Sequence, residues 1–275
     1  MKPIQPYLLD VDSRSDVKVD ASCIGVGTAL PPEEILRLAL DHGFMNLCQK
    51  DGYDFDHEVR TSENLIQSPT NFFRFPVSSV LAPDNVCQVS ERALIVVEEL
   101  FNSSTQKREA LDTLINFMEV KGFSQTLSDD ITAVADELFT NAVYNAPFVD
   151  SNGANDRCVS RMGSEVKYED GKSARLILAH DESRIMVACE DPFGSLNLVR
   201  YMEKIKAAYN KGAAAAMNLG PGGAGLGSYI IFNAGSSLYF GVWPKRTTIV
   251  CCVIPLGMSY RSRAHLPKHF HRIQR

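Results

Sequence analysis

The stretch 129–145, DDITAVADELFTNAVYN, constrains the fold more than any other part of the chain. Ile131, Val134, Ala135, Leu138, Ala142 and Val143 recur at steps of three and four residues, which puts them on one buried face of a helix. Ser128 reads as the cap, accepting backbone N–H bonds, with Asp129 and Asp130 at the positive end of the helix dipole. Glu137 and Asn141 stand four residues apart, so one stacks a turn above the other. A carboxylate placed there can orient or deprotonate a nucleophile, and the amide oxygen beside it can bind a hard cation. The same two residues also suit the solvated face of an ordinary amphipathic helix.

Around this helix the pattern alternates between helical and strand periods. A strand is expected over 21–26, a helix over 33–42, a strand over 72–81 (FFRFPVSSVL), and helices over 89–101 and 105–120. Residues 148–172 read as a long loop, followed by a hairpin of strands 174–180 and 184–189. Helices over 197–209 and 226–233 flank an Ala-rich connection, and a second hairpin joins 237–242 to 247–254. Hairpins demand an antiparallel or mixed sheet, and amphipathic helices would cover one face of it, giving an α/β two-layer sandwich; pattern alone leaves a generic α+β domain open. Three parts are expected: an N-terminal extension or small α/β module over 1–71, the main domain over 72–258, and a basic tail over 259–275. The tail, with Arg261, Arg263, Lys268, Arg272 and Arg275, reads as a solvated terminus, and its His269 and His271 lack the further ligands of a metal site.

Composition narrows the class. A chain of 275 residues with 45% hydrophobic and 22% charged residues can bury a sizeable core. Its net charge of −5 argues against coating nucleic acid or anionic lipid. No apolar run has the length of a membrane span, and the first residues carry no apolar signal segment. Seven cysteines without C-x-x-C spacing fit neither a metal site nor a disulfide framework, so a reducing, cytoplasmic compartment is expected.

Two further stretches carry chemistry. Asp191 ends an apolar strand in CEDPFG, and GPGGAGLG over 220–227 opens a helix. A backbone without Cβ atoms at a helix N-terminus lets phosphates approach unpaired N–H groups and the helix dipole. The order Glu137-Leu138-x-x-Asn141-Ala142, then strand–Asp191–x–x–Gly194, then Gly223-x-Gly225-Leu226-Gly227 resembles the GHKL ATPase superfamily of gyrase, heat-shock chaperone, histidine kinase and mismatch-repair ATPases. The wording ELFTNAVYNA with GGAGLGSYIIFNAGSSLYF is most similar to the anti-sigma-factor serine kinases, over about residues 73–256.

This resemblance implies a Bergerat-type fold binding ATP with Mg2+. Asn141 would hold the metal, and Glu137 would act as general base or orient the attacking hydroxyl. Asp191 would accept from the adenine amino group, with Gly194 in the turn behind it. Gly222, Gly223, Gly225, Leu226 and Gly227 would cradle the phosphates, and Thr247 or Thr248 would complete the adenine contact. Phe193 and Ser195 stand where the family carries glycines, and Tyr144 and Asn145 stand where sensor kinases carry Lys and an aromatic or His. The implied function is a protein serine/threonine kinase or ATP-dependent switch. It would act on a regulatory partner such as a sigma factor, an anti-sigma antagonist or a response regulator, with a homodimer among the assemblies allowed. A degenerate, non-catalytic module that sequesters such a partner is the alternative. A third reading, half of a sensor histidine kinase, rests on HEVRT over 57–61, which matches the start of a phosphoacceptor box and also reads as a solvated polar turn.

Overall fold

The computed structural model describes residues 5–12, 19–148, 165–169, 171–211 and 227–275. The first stretch runs β1 (Tyr7–Asp10), β2 (Cys23–Gly27), α1 (Pro32–Asp41), β3 (Asn46–Gln49) and α2 (Phe55–Gln67). Short helices α3 (Pro69–Arg74), α4 (Pro76–Leu81) and α5 (Glu91–Leu94) lead into β4 (Ile95–Phe101). Helices α6 (Lys107–Val120) and α7 (Gln125–Thr140) precede the hairpin of β5 (Ala174–His180) and β6 (Arg184–Asp191). Then come α8 (Leu198–Lys211), α9 (Gly227–Ala234), the hairpin of β7 (Ser237–Trp243) and β8 (Thr247–Pro255), α10 (Tyr260–Ala264) and β9 (His269–Gln274).

The strands form one nine-stranded mixed sheet in the order β1-β2-β3-β9-β7-β8-β6-β5-β4. The β4-β5-β6-β8-β7 run is antiparallel, whereas β1-β2-β3 and the β7-β9 pair are parallel. Strand periodicity sends alternate residues to two separate cores. Leu176, Leu178, Val187, Cys189, Leu238 and Phe240 pack beneath α1, α6, α7, α8 and α9. Ile177, Ala179, Met186, Ala188, Tyr239 and Cys251 face the other way, against Phe72, Phe73, Val77 and Val80 of α3 and α4. The expected α/β sandwich with a mainly antiparallel mixed sheet is therefore present, and the N-terminal helices add a layer on its second face.

Several local expectations are corrected. Residues 72–81 are helical: Pro69 and Pro76 each open a short helix, where a missing N–H costs nothing, and Phe72, Phe73, Val77, Val80 and Leu81 share one buried stripe. Residues 95–101, expected as helix, form β4, because the β-branched run Ile95-Val96-Val97 suits an extended chain pairing with β5. The cap of α7 is Ser124, whose Oγ accepts from Leu127 N, so this helix starts ahead of Ser128. The basic tail is not solvated over 269–274. There it forms β9, inserted between β3 and β7, and the one sheet crosses the expected boundaries near residues 71 and 258.

A buried polar knot fastens these layers. Glu58 of α2 is 1% exposed. Its carboxylate accepts from Ser237 Oγ at 2.6 Å, from the Tyr239 hydroxyl, and from His271 Nε2 at 2.9 Å. The His271 ring stacks on Tyr239 with centroids 4.4 Å apart. Burial by itself would raise the Glu58 pKa, yet the hydrogen bond from His271 and the neighbouring imidazoles and Ser237 hold it well below the usual carboxylate range. Glu58→Ala is expected to cost roughly 3–5 kcal/mol of stability by urea denaturation at pH 7, since the partners are left buried and unmatched. A depressed folded pKa stabilises above the ordinary carboxylate value and loses that effect as pH falls, so the two stability curves should converge in acid.

Candidate functional site

Helix α7 brings the predicted residues to the sheet. Leu127, Ile131, Val134, Ala135, Leu138 and Phe139 are buried, and Phe139 stacks on Phe101 of β4 at 4.0 Å. Beyond Thr140 the helix widens into a π-turn over Asn141–Asn145, the kind of local departure that recurs at functional sites. The Tyr168 hydroxyl donates to the Ala142 carbonyl there at 2.9 Å.

The π-turn, the ends of β6 and β8, and α8 enclose a cavity of about 110 Å3, against the ~10–15 Å3 that one water needs. Asn141, Asp191 and Thr248 all line it. Asp191 and Thr248 are direct partners in the β6–β8 register, so two separate sequence regions meet by sheet pairing. Asp191 is 7% exposed and accepts from Phe193 N at 3.0 Å. Burial pushes its pKa up to about 7, against the opposing pull of the Phe193 and Gly194 amides and the Thr248 hydroxyl. Thr248 Oγ1 is close enough to bear on that carboxyl, but it makes no hydrogen bond of ordinary geometry. Asn141 Oδ1 accepts from Asn145 Nδ2 at 2.6 Å, which leaves its second lone pair for another partner.

Glu137 does not line this cavity; it borders an adjoining groove with Ile115, Phe123, Asp136 and Ile230. Gly227, the first residue of α9, lies against it, and a Cβ there would sit 1.7 Å from Glu137 Cδ. Gly194 takes φ +60° behind Asp191, with the Trp243 carbonyl 2.0 Å from where a Cβ would be, so glycine is required. Thr247 points elsewhere: its Oγ1 is spent on the Asp191 carbonyl at 2.9 Å and the Glu190 carboxylate at 3.4 Å. Gly222, Gly223, Gly225 and Leu226 lie outside the described residues, as do Ala213 to Ala216 and most of the 148–172 loop. Phe193 is absent from the cavity wall; it packs edge-on to Tyr168 at 5.0 Å, beneath Lys172.

His57 is 6% exposed, and its Nε2 lies 2.7 Å from the Val80 carbonyl. That burial replaces the solvated turn expected at 57–61 and leaves the ring no access to a phosphoryl donor. Arg200 and Tyr201 of α8 also line the cavity, as does Lys204, and no motif marks them. The available signal was the inward stripe of Leu198, Met202 and Ile205, which turns Tyr201 toward the core. Among the described residues no group of three or more His, Cys, Asp or Glu side chains is placed to hold a metal, and no helix is long and apolar enough to cross a membrane.

No family model and no curated protein matches the chain. Among solved structures, a chain in the crystal structure of the SiaB–SiaC complex from Pseudomonas aeruginosa is similar at 20% identity and a TM-score of 0.40. The match covers 59% of this chain and 91% of that one.

The Asp191 carboxyl has a measurable consequence without any ligand. Its usual pKa is 3.8 and its folded value about 7, so between them the folded protein keeps a proton that the unfolded chain has lost. Stability therefore falls as pH rises through that window, by on the order of 4 kcal/mol. Asp191→Asn should melt above the wild type at pH 8 and level with it near pH 4. An Asn variant that melts lower at pH 8 would contradict the assignment.

Proposed function

We propose that this protein is a nucleotide-dependent regulatory switch of GHKL type, binding Mg-ATP in the α7–β6–β8–α8 cavity and acting on a partner protein. The observation that carries this is the Asp191–Thr248 pair: a buried carboxyl with its pKa raised and a buried hydroxyl without a partner, both facing the cavity. The ionised carboxylate has lone pairs left for a further donor, and the exocyclic amine of adenine is one. Guanine presents an oxygen at that position and would be rejected by the ionised carboxylate.

Asn141 would contribute an oxygen to Mg2+, with phosphates and water completing the shell, since Mg2+ in nucleotide sites takes few protein ligands. Bound ATP supplies a γ-phosphoryl group for transfer. Glu137, held against the start of α9, would take the proton of an acceptor hydroxyl on a serine or threonine of the partner. The resemblance supplies the partner class: a sigma factor, an anti-sigma antagonist or a response regulator, in the cytoplasm.

The contact between Asn145 and Asn141 Oδ1 favours a second reading, in which the site is degenerate and the protein sequesters its partner without catalysis. Calorimetry with Mg-ATP separates the two. The switch predicts binding by the wild type and loss of roughly tenfold or more in Asp191→Asn, a missing hydrogen bond to a charged group. Because the ionised carboxylate is the binding form, affinity should weaken as pH falls below about 7. Absence of heat and of any thermal shift at millimolar Mg-ATP would leave the sequestering module standing. Where transfer to a partner is seen, Glu137→Ala should abolish it while leaving Mg-ATP affinity within a few-fold.

A further inference from the structure

Helix α8 carries a hydroxyl that the nucleotide contacts above leave without a task. Tyr201 lines the cavity, its ring edge-on to Phe240 with centroids 5.3 Å apart. Its phenolic oxygen is buried and has no hydrogen-bond partner among the described residues. An unpaired buried hydroxyl is costly, and sites that keep one commonly hold it for a ligand. Burial, and after it the nearby Glu137 carboxylate, raise the phenol's pKa well above its usual value, so the group remains a donor across physiological pH. The surroundings say what it donates to. Arg200 precedes it, Lys204 follows nearly one turn later, and both line the same cavity. The acceptor Asp191 stands on a different wall, at the end of β6. The cavity thus offers a carboxylate from the sheet and a cationic, donor-bearing face from α8.

We propose that Tyr201 is a ligand-binding residue of this cavity, its hydroxyl donating to an oxygen of the nucleotide's phosphate chain. The proposal rests on the nucleotide reading and adds a contact that none of the sequence motifs contains. It also gives α1 a purpose, because that helix packs on α8 and so braces the wall that presents Tyr201.

The full chain with Tyr201→Phe tests this, since phenylalanine keeps the ring and removes only the hydroxyl. Calorimetry with Mg-ATP should show affinity reduced about tenfold or more, while any affinity for adenosine is unchanged. The ligand-free variant should melt at the same temperature as the wild type or higher, because an unpaired buried hydroxyl has been deleted. A purely structural hydroxyl would give the opposite sign, a lower melting temperature. The inference is overturned by unchanged Mg-ATP affinity, by equal losses for Mg-ATP and adenosine, or by a destabilised variant. If the wild type binds Mg-ATP and the variant binds it equally well, only the role of Tyr201 falls. If the wild type binds none, the nucleotide reading falls with it.

Discussion

A carboxylate cannot be carried into a protein interior unless its charge is met there, and Glu58 sets that condition for the whole molecule. It comes from α2, outside the sheet, while Ser237 and Tyr239 come from β7 and His271 from β9. All of them are buried, so the knot is complete only when the outer helical layer, the central hairpin and the last strand are in register. Around it lie supporting imidazole and amide contacts. His269 Nδ1 accepts from Gln49 N at 3.2 Å, and its Nε2 lies 3.1 Å from the Tyr53 carbonyl. Burial lowers the His269 pKa below the usual imidazole value, against the pull of the Glu58 carboxylate. Apolar burial drives α2, α3 and α4 onto the sheet, and this polar arrangement selects the single register in which they can stay.

The opposite face carries the cavity and a second buried carboxyl. Asp191 is buried, and burial raises its pKa to about 7. That is a standing destabilisation at the sheet's end, in a cavity also lined by two hydroxyls that lack partners, Thr248 on the sheet and Tyr201 on α8. Glu58 and Asp191 are both buried carboxyls with opposite fates. One has three side-chain donors and is held in the ionised state, and the other accepts from the Phe193 amide, with burial raising its pKa to about 7. The two carboxyls thus lie on opposite faces of one sheet.

Much of the site-bearing face could be read from the chain alone. The α7 face follows from three- and four-residue spacing, and the β5–β6 and β7–β8 hairpins follow from alternation interrupted by turn residues. Asn141 and Asp191 could be named because short motifs mark them, and Thr247 or Thr248 by family resemblance alone; Asn141, Asp191 and Thr248 line one cavity. Residues 72–81 misled because their phenylalanines and valines have strand composition, although Pro76 within the run argues against a strand and, like Pro69, starts a helix. Residues 89–101 misled because a good helical opening gives way at Ile95 to β-branched residues. The buried knot was illegible for a different reason. His57 and Glu58 were visible as a motif and His269 and His271 as a tail, but their meeting depends on contacts more than two hundred residues apart. Tyr201 carries no motif, and only the cavity gives it meaning.

The place of β9 has a consequence for how the chain comes to be folded. This strand is the last in sequence, yet it occupies an inner position, parallel to β7 and antiparallel to β3. Until residues 269–274 emerge from the ribosome, β3 and β7 each present an open rim of unpaired amides and carbonyls, and neither half of the sheet can join the other. Closure of the sheet therefore waits on this segment, and until it docks the two rims are open to mispairing. The two halves of the sheet are thus joined through one short segment, which has to pair on both its edges at once.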